Sequence, residues 1–424
     1  MNGVRRVLYL AAHGGFAGEP VPLGGGAAVC ERLLSEWART KPFEVTPIAP
    51  SILGSGAPSA RELVAFSERQ YGRFCREFSQ AATAEVLRHD PAETAILVND
   101  VSEGPDFRAL AAASFRVTTI YHADVVAYVA AIYGRSLLRP ETLVRWHGRL
   151  RRTAFRRAIP AMAALVFDQQ EHSLRYSRTC VVPSEGMRET MRRCYPDLPG
   201  DRIRVLPWGL PAEVVDGVTL RSEAARLRAE YGVPGDARVL LTLSRISPEK
   251  GQDLLIEALL DWERGPDFPK RPLWLFVCGE AAYMQGRRFQ ARLNALAARL
   301  RRVRIVFPGH LTGWRKRAFF ALADVYVFPS RHESYGLTLL EALRAGVPAV
   351  ALDSDGARSV MRPEFGELVP MSSHAATVKG LSEALARMLP AEEARRAMGE
   401  PARQWAAGQS FEAAAAALAR LICD

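Results

Sequence analysis

Short runs of β-branched and other apolar residues recur along the chain, each followed by a loop of glycine or small polar residues and then by apolar positions at helical spacing. That alternation is βαβ grammar and predicts parallel sheets flanked by helices. The first run, Val4 to Ala12, leads through His13 to Gly24 into a helix expected from about Gly25, whose Val29, Leu33 and Trp37 recur every fourth residue on one face. Further strands are expected at Ala95 to Val98, Arg116 to Ile120, Ala164 to Phe167 and Thr179 to Val182, with a strand-like run at Arg204 to Leu206. The turn Pro207-Trp208-Gly209-Leu210-Pro211 closes this half, and a charged stretch follows. A second series of strands then begins, at Arg238 to Leu243, Leu273 to Cys278, Arg304 to Phe307, Val325 to Phe328 and Ala349 to Leu352. The pattern reads as an α/β chain of two doubly wound domains, 1–210 and 220–400, with a linker near 208–220 and an alanine-rich helical tail, 401–424.

Composition fits that picture. The chain has 424 residues, 48% hydrophobic and 24% charged, which suits a sizeable core and excludes disorder and fibrous repeats. Its formal charge is 56 − 46 = +10, but the cations are almost all arginine, with lysine only at 41, 250, 270, 316 and 379. Together with the abundance of alanine, that skew points to base-composition bias, so the charge is weak support for a polyanionic partner. The six cysteines show no CxxC pair, as expected of a protein in a reducing cytosol. The longest apolar stretch, Val125 to Tyr133, is about half of a membrane span, so membrane contact is expected to be peripheral at most.

The most informative segment runs from Asp324 to Val350. The strand Val325 to Phe328 enters Pro329-Ser330-Arg331-His332-Glu333-Ser334-Tyr335-Gly336, and a helix follows through Ala345, stopped by Gly346 and Pro348. Glu333 lies in the loop before the helix and Glu341 just over a turn inside it. Helical side chains lean toward the N-terminus, so Glu341 can reach back toward a ligand at the Gly336-Leu337 amides. A glycine-opened helix N-terminus suits an anion, and flanking carboxylates suit the hydroxyls of ribose and hexose. Spacing alone leaves open two glutamates on an ordinary surface helix.

The whole string, Pro329-Ser330-x-x-Glu333-x-Tyr335-Gly336-Leu337-x-x-Leu340-Glu341-Ala342-x-x-Ala345-Gly346-x-Pro348, resembles the signature of the retaining GT-B glycosyltransferases of family 4, the glycosyl transferases group 1. Upstream, Ser244-Arg245-Ile246-Ser247-Pro248-Glu249-Lys250-Gly251 resembles the family loop that gives an arginine and a lysine to the donor diphosphate. The resemblance places those roles on Arg245 and Lys250, and fixed cations there would stabilise a leaving group that gains negative charge. In the first half, Gly24-Gly25-Gly26 looks like the family's glycine-rich loop near the donor phosphates, and His122 stands where many members carry a histidine close to the donor sugar. A flexible turn and a structural histidine are the plain alternatives. His13, at the end of the first strand, is a further candidate.

The resemblance implies a GT-B architecture, two Rossmann-like domains facing a central cleft, with the last helix crossing back onto the first domain. It implies sugar transfer from a nucleoside diphosphate, UDP before GDP, to an acceptor hydroxyl with retention, needing no cofactor beyond the donor as co-substrate. The catalytic set would be His122, Glu333, Arg245 and Lys250. The donor would be held by Gly25, Gly26, Arg245, Lys250, Glu333, Tyr335, Gly336, Leu337 and Glu341, with the N-terminal domain binding the acceptor. Alternatives are a non-catalytic nucleotide-sugar-binding protein, or an epimerase or phosphorylase of the same fold. A nucleotide-dependent oxidoreductase would need a G-x-G-x-x-G after the first strand, which Gly24-Gly25-Gly26 does not supply.

Two further features have plain readings. Asp353-Ser354-Asp355 has the Asp-x-Asp spacing of metal-dependent transferases of another fold, but it follows a strand as a turn would; no metal is expected, and no nucleic acid. Arg145, Arg149, Arg151, Arg152, Arg156 and Arg157, interleaved with Trp146, Leu150 and Phe155, read either as a solvated face or as a surface for anionic lipid. The chain departs from the family where Trp208 replaces a frequent asparagine, and where Asp355-Gly356-Ala357 replaces a Gly-Gly pair followed by glutamate.

Overall fold

The computed structural model describes residues 4–14, 24–133, 139–213, 216–281 and 286–424. They form two compact units, Met1–Trp208 with Glu412–Asp424, and Gly209–Phe411.

The first unit is built on six parallel strands, β1 (Arg6–Leu10), β2 (Glu44–Ile48), β3 (Thr94–Val98), β4 (Arg116–Ile120), β5 (Thr179–Val182) and β6 (Ile203–Val205), in the order β2-β1-β3-β4-β5-β6. β1, β3 and β4 are buried almost throughout, because helices cover both faces of a parallel sheet. Leu8, Ile96, Phe74, Phe78 and Phe107 share one cluster, and Tyr121, Cys180, Val182, Met187 and Met191 share another. The helix Gly25–Thr40 buries Val29, Leu33 and Trp37, as the spacing predicts. Residues 15–23 of the loop expected between His13 and Gly24 lie outside the described residues.

Two departures have simple causes. The strand expected at Ala164 to Phe167 is part of the helix Ala161–Tyr176, whose buried Val166, Gln170, Ser173 and Leu174 follow helical spacing. Its apolar start has no period long enough to separate strand from helix. β2 was not foreseen, since its sequence Glu-Val-Thr-Pro-Ile alternates poorly and contains Pro47. It forms the sheet edge, where a proline is tolerated.

The second unit repeats the scheme with β7 (Arg238–Leu243), β8 (Leu273–Cys278), β9 (Val303–Gly309), β10 (Val325–Phe328), β11 (Ala349–Leu352) and β12 (Gly366–Val369), in the order β12-β11-β10-β7-β8-β9, all parallel. This is the doubly wound order that reverses beside its first strand, so the loops after β7 and β10 flank the position where such folds bind ligands. The short edge strand β12 was also not anticipated. The boundary read at 401 falls inside the helix Glu392–Ala407, which encloses Pro401; the chain rejoins the first unit only from Glu412. There the helix Phe411–Cys423 packs on the helix Gly25–Thr40, and Trp37 Nε1 donates to the Ala415 carbonyl at 3.2 Å. Where the second unit begins and ends, the Leu210 amide donates to the Gln409 carbonyl at 2.8 Å and the Phe411 amide to the Leu210 carbonyl at 3.0 Å.

Candidate active site

In the second unit the loops after β7 and β10 are fastened together. Gly251 has φ +66°, and a Cβ there would lie 1.9 Å from the Pro329 carbonyl, so only glycine permits the approach. The Arg331 amide donates to the Glu249 carbonyl at 2.8 Å, and the Arg331 guanidinium donates to the Pro248 carbonyl at 2.7 Å. That guanidinium also grips the buried Asp253 carboxylate with two bonds, at 2.7 and 3.1 Å. A bidentate fork fixes orientation as well as distance, so the two loops move as one piece.

This fastening brings together residues 83 apart in sequence: Lys250 Nζ donates to Glu333 Oε2 at 2.7 Å. Burial alone would raise the Glu333 carboxyl, but Lys250, with His332 and Arg245 behind it, holds it below the usual carboxylate range. Arg245 Nη2 lies 3.7 Å from Glu249 Oε1, and the Arg245 carbonyl accepts from Gln252 Nε2 at 2.7 Å. Tyr335 is buried, which pushes its phenol up to about 12. Gly336 caps the helix Leu337–Arg344 with φ +93°, leaving the amides of the first turn, from Leu337 on, at its open end.

Glu341 lies in the second turn of that helix and is 9% exposed. Its Oε1 accepts from Lys316 Nζ at 2.7 Å, whereas its Oε2 is buried without a hydrogen-bond partner. Tyr326 donates to the Leu243 carbonyl and its hydroxyl also bonds the Thr338 hydroxyl, and both glutamates raise its phenol further after burial has done so. Glu333, Lys250 and Arg245 are thus one cluster, and Glu341 shares with Glu333 an influence on Tyr326. Asp353 and Asp355 both face Arg358, at 2.9 and 3.7 Å, and the Asp355 segment opens the helix Asp355–Val360 rather than a plain turn. Among the described residues no group of three or more His, Cys, Asp or Glu could hold a metal.

In the first unit, the segments that follow β1, β3 and β4 meet at one sheet edge, since those strands are neighbours. His122 Nε2 lies 2.9 Å from Asn99 Oδ1, which also accepts from the Tyr9 hydroxyl at 2.7 Å. Asn99 Nδ2 donates to Asp100 Oδ1 at 3.2 Å, and Asp100 Oδ2 accepts from the amides of Ala12 and His13. Burial lowers His122 to about 4, against an opposing pull from Asp100. Gly26 carries the second helical residue against the imidazole, so a Cβ there would sit 3.0 Å from its ring, while Gly25 opens the same helix. Trp208 stacks on His122 with ring centroids 6.1 Å apart. His13 is turned to Glu103, 3.0 Å away, and Tyr71 donates to the same carboxylate.

Sequence reasoning did not single out Lys316, Arg331, Asp253, Asn99 or Asp100. Lys316 carried a signal, being one of five lysines. Asn99 and Asp100 carried only their position at a strand end.

Residues 223–405 match the family model for glycosyl transferases group 1. This segment belongs to that family. The group 1 segment holds Arg245, Lys250, Glu333 and Glu341 together. Among curated relatives, the D-inositol 3-phosphate glycosyltransferase of Corynebacterium glutamicum (strain R) is 32% identical over 247 residues, 57% of this chain and 55% of that protein. The GDP-mannose-dependent alpha-(1-6)-phosphatidylinositol monomannoside mannosyltransferase of Mycolicibacterium smegmatis is 32% identical over 191 residues, 43% of this chain and 46% of that protein. The chain therefore spans about half the length of the curated relatives it matches. The fold extends further than the sequence similarity. Anabaena HepE, solved with UDP and glucose, superimposes with a TM-score of 0.65 at 17% identity, covering 98% of this chain and 99% of that one. Sucrose-phosphate synthase from Thermosynechococcus elongatus gives 0.68 at 19% identity, covering 98% of each chain. The fold is GT-B, two parallel six-stranded sheets with flanking helices.

Proposed function

We propose that the chain transfers a sugar from a nucleoside diphosphate to an acceptor hydroxyl with retention at the anomeric carbon. The observation that carries this reading is the Lys250–Glu333 contact beside Arg245, with the partnerless Glu341 Oε2 nearby, inside a group 1 segment. In this reading Glu341 Oε2 takes a ribose hydroxyl, and Glu333 takes hydroxyls of the donor sugar. Lys250 has three N–H donors and engages one on Glu333, leaving two for the diphosphate beside Arg245. The amides at Gly336 and Leu337 add fixed partial positive charge, and Tyr335 walls the loop. His122, Gly25 and Gly26 belong to the first unit, which this reading assigns to the acceptor. Among the described residues of this cluster Glu333 is held by Lys250 and Glu341 by Lys316, so in this reading neither acts as a nucleophile and the departing phosphate oxygen takes the proton of the incoming hydroxyl on the same face.

Arg358 already pairs with Asp353 and lies near Asp355, and in this reading Arg245 and Lys250 face the leaving group, so the reaction is expected to run without a divalent metal. A thermal-shift screen with UDP, GDP and their sugar conjugates identifies the donor; UDP is the first reading, and GDP is the nucleotide named for the mannosyltransferase relative. A ligand at 100 times its Kd stabilises by about 2.7 kcal/mol. Turnover of the stabilising donor is then followed after exhaustive EDTA treatment, with added Mg²⁺ and Mn²⁺ as controls. Full activity in EDTA is the expected result. Activity that needs Mn²⁺ and disappears in Asp353→Ala would instead make that aspartate pair a metal site. Stabilisation without any product would mark a nucleotide-sugar-binding protein.

We also infer a cytoplasmic protein that rests on anionic lipid. Cys30, Cys75, Cys180, Cys194 and Cys278 are buried free thiols, and no described helix is long and apolar enough to cross a membrane. The helix Pro140–Leu150 exposes Trp146 and Leu150 at 49% and 41%. Arg145, Arg149, Arg152, Arg156 and Arg157 lie exposed around them, whereas Arg151 turns inward to Asp168 and Glu171. An aromatic and basic face of this kind suits a negatively charged bilayer surface. Flotation with vesicles containing 30 mol% anionic lipid should carry the protein, and Trp146→Ser with Arg149→Glu should abolish it; equal flotation of both proteins would make the face a solvated one.

A further inference from the structure

His122 can act in three states: a cation, a neutral ring with its proton on Nδ1, or a neutral ring with its proton on Nε2. Its neighbours select among them. Asn99 is 1% exposed, and its amide orientation is fixed by Asp100. Were the amide reversed, its oxygen would face the Asp100 carboxylate at 3.2 Å, acceptor against acceptor. Asn99 Oδ1 therefore points at both the Tyr9 hydroxyl and His122 Nε2, and each must donate to it. Tyr9 can do so because burial first, then Cys30 and Asp100, keeps its phenol protonated. The remaining partner must carry its proton on Nε2.

We propose that Asn99 is a positioning residue that holds His122 as the neutral Nε2–H tautomer, so that Nδ1 offers a lone pair to a hydroxyl of a bound sugar. Among the described residues Nδ1 has no hydrogen-bond partner, and it is not among the sealed polar atoms. This inference rests on the reading of His122 as part of the sugar site. The imidazole acts here as a hydrogen-bond acceptor and not as a general base, since a ring so reluctant to protonate holds a proton weakly.

The surroundings work in the same direction. Trp208 covers one face of the ring without charge, and Gly26 brings the positive end of the helix Gly25–Thr40 to its edge, which disfavours an imidazolium. Beside Tyr9, the Cys30 thiol is pushed up to about 12 by burial and stays neutral. Asp100 alone pulls toward the cation, and its second oxygen is occupied by the Ala12 and His13 amides. The His13 ring is directed to Glu103, and Asp124, two residues after His122, accepts from Gln170 and from the Ala127 amide.

The test is direct. Long-range ¹H–¹⁵N spectra of the ¹⁵N-labelled full chain, with His122 assigned by its loss in His122→Gln, should show Nε2 protonated and Nδ1 unprotonated from pH 8 down to pH 5. Asn99→Asp places a carboxylate against Nε2 and should raise the protonated fraction of His122 at pH 6 at least tenfold. In that variant kcat/KM should gain an acidic limb that the wild type lacks, with KM for the donor changed less than threefold. A protonated Nδ1 or an imidazolium in the wild type at pH 7 overturns the proposal, and so does an Asn99→Asp protein whose His122 titrates as before. The wild-type spectrum decides even if that variant does not fold. Because the spectrum needs no turnover, an inactive protein with the expected tautomer would count against the transferase reading alone.

Discussion

Lys250→Ala should lower turnover roughly a hundred- to a thousandfold, the range seen when one fixed donor to a developing charge is removed. The donor Kd should weaken less than tenfold, because the charge on the leaving diphosphate grows toward the transition state and the lysine is most valuable there. Steady-state kinetics and calorimetry on the same preparation separate the two effects. A loss confined to binding would return Lys250 to a ground-state contact. The variant also tests the electrostatics of its partner. Glu333 has a depressed pKa in the folded chain, so its contribution to stability is present above the ordinary glutamate value of 4.5 and is lost as pH falls through the folded value. Without Lys250 the depression relaxes. Urea melts should therefore show the stability gap between wild type and variant at its widest near neutrality, narrowing as the pH drops below that ordinary value.

Glu341→Ala should have the opposite signature, weakening nucleoside diphosphate binding about ten- to a hundredfold while kcat at saturating donor changes less than threefold. Hydrogen bonds to charged groups contribute about 1.5–3 kcal/mol, and a ribose far from the reacting bond is held equally well in ground and transition states. The partnerless Oε2 is the atom that makes the effect large, since in the apo protein it is buried with nothing to accept. Titration calorimetry with the nucleotide found by thermal shift measures this, and Lys316→Ala serves as a companion. If Glu341→Ala binds the nucleotide as tightly as wild type, the ribose role is lost and the glutamate is a structural partner of Lys316.

Strands that lie deep in the two sheets were legible to the residue: Arg116–Ile120, Thr179–Val182, Arg238–Leu243, Leu273–Cys278, Val325–Phe328 and Ala349–Leu352. Burial on both faces turns such a strand into a continuous apolar run. Of the four edge strands, Ile203–Val205 and Val303–Gly309 were read to within a few residues, whereas Glu44–Ile48 and Gly366–Val369 were missed, because a strand with one side open needs no such run. The short apolar start of the helix Ala161–Tyr176 misled for a related reason, since four residues cannot display a period. In the candidate site, residues within one motif were visible at once. What could not be read were contacts made by folding: the Arg331 fork on Asp253, the Lys316 contact to Glu341, and the convergence of Tyr9, Asn99 and His122 from three strands. A single asparagine after a strand is unremarkable until its two hydrogen-bond donors are in place.

The return of the chain at Glu412 has a consequence for biosynthesis. Residues 209–411 are an insertion within the first unit, and its two junctions are tied by the Leu210, Gln409 and Phe411 backbone bonds. A ribosome adding about 5–20 residues per second needs roughly 10–40 s to make that insertion. Throughout this interval the first 208 residues have emerged without the helix that Trp37 will meet, so the face of Gly25–Thr40 carrying Trp37 waits uncovered. The second unit, continuous in sequence, can finish folding first and so bring the junctions together before the last helix arrives. Truncation before Phe411–Cys423 should consequently leave that face of the first unit uncovered in the finished chain as well.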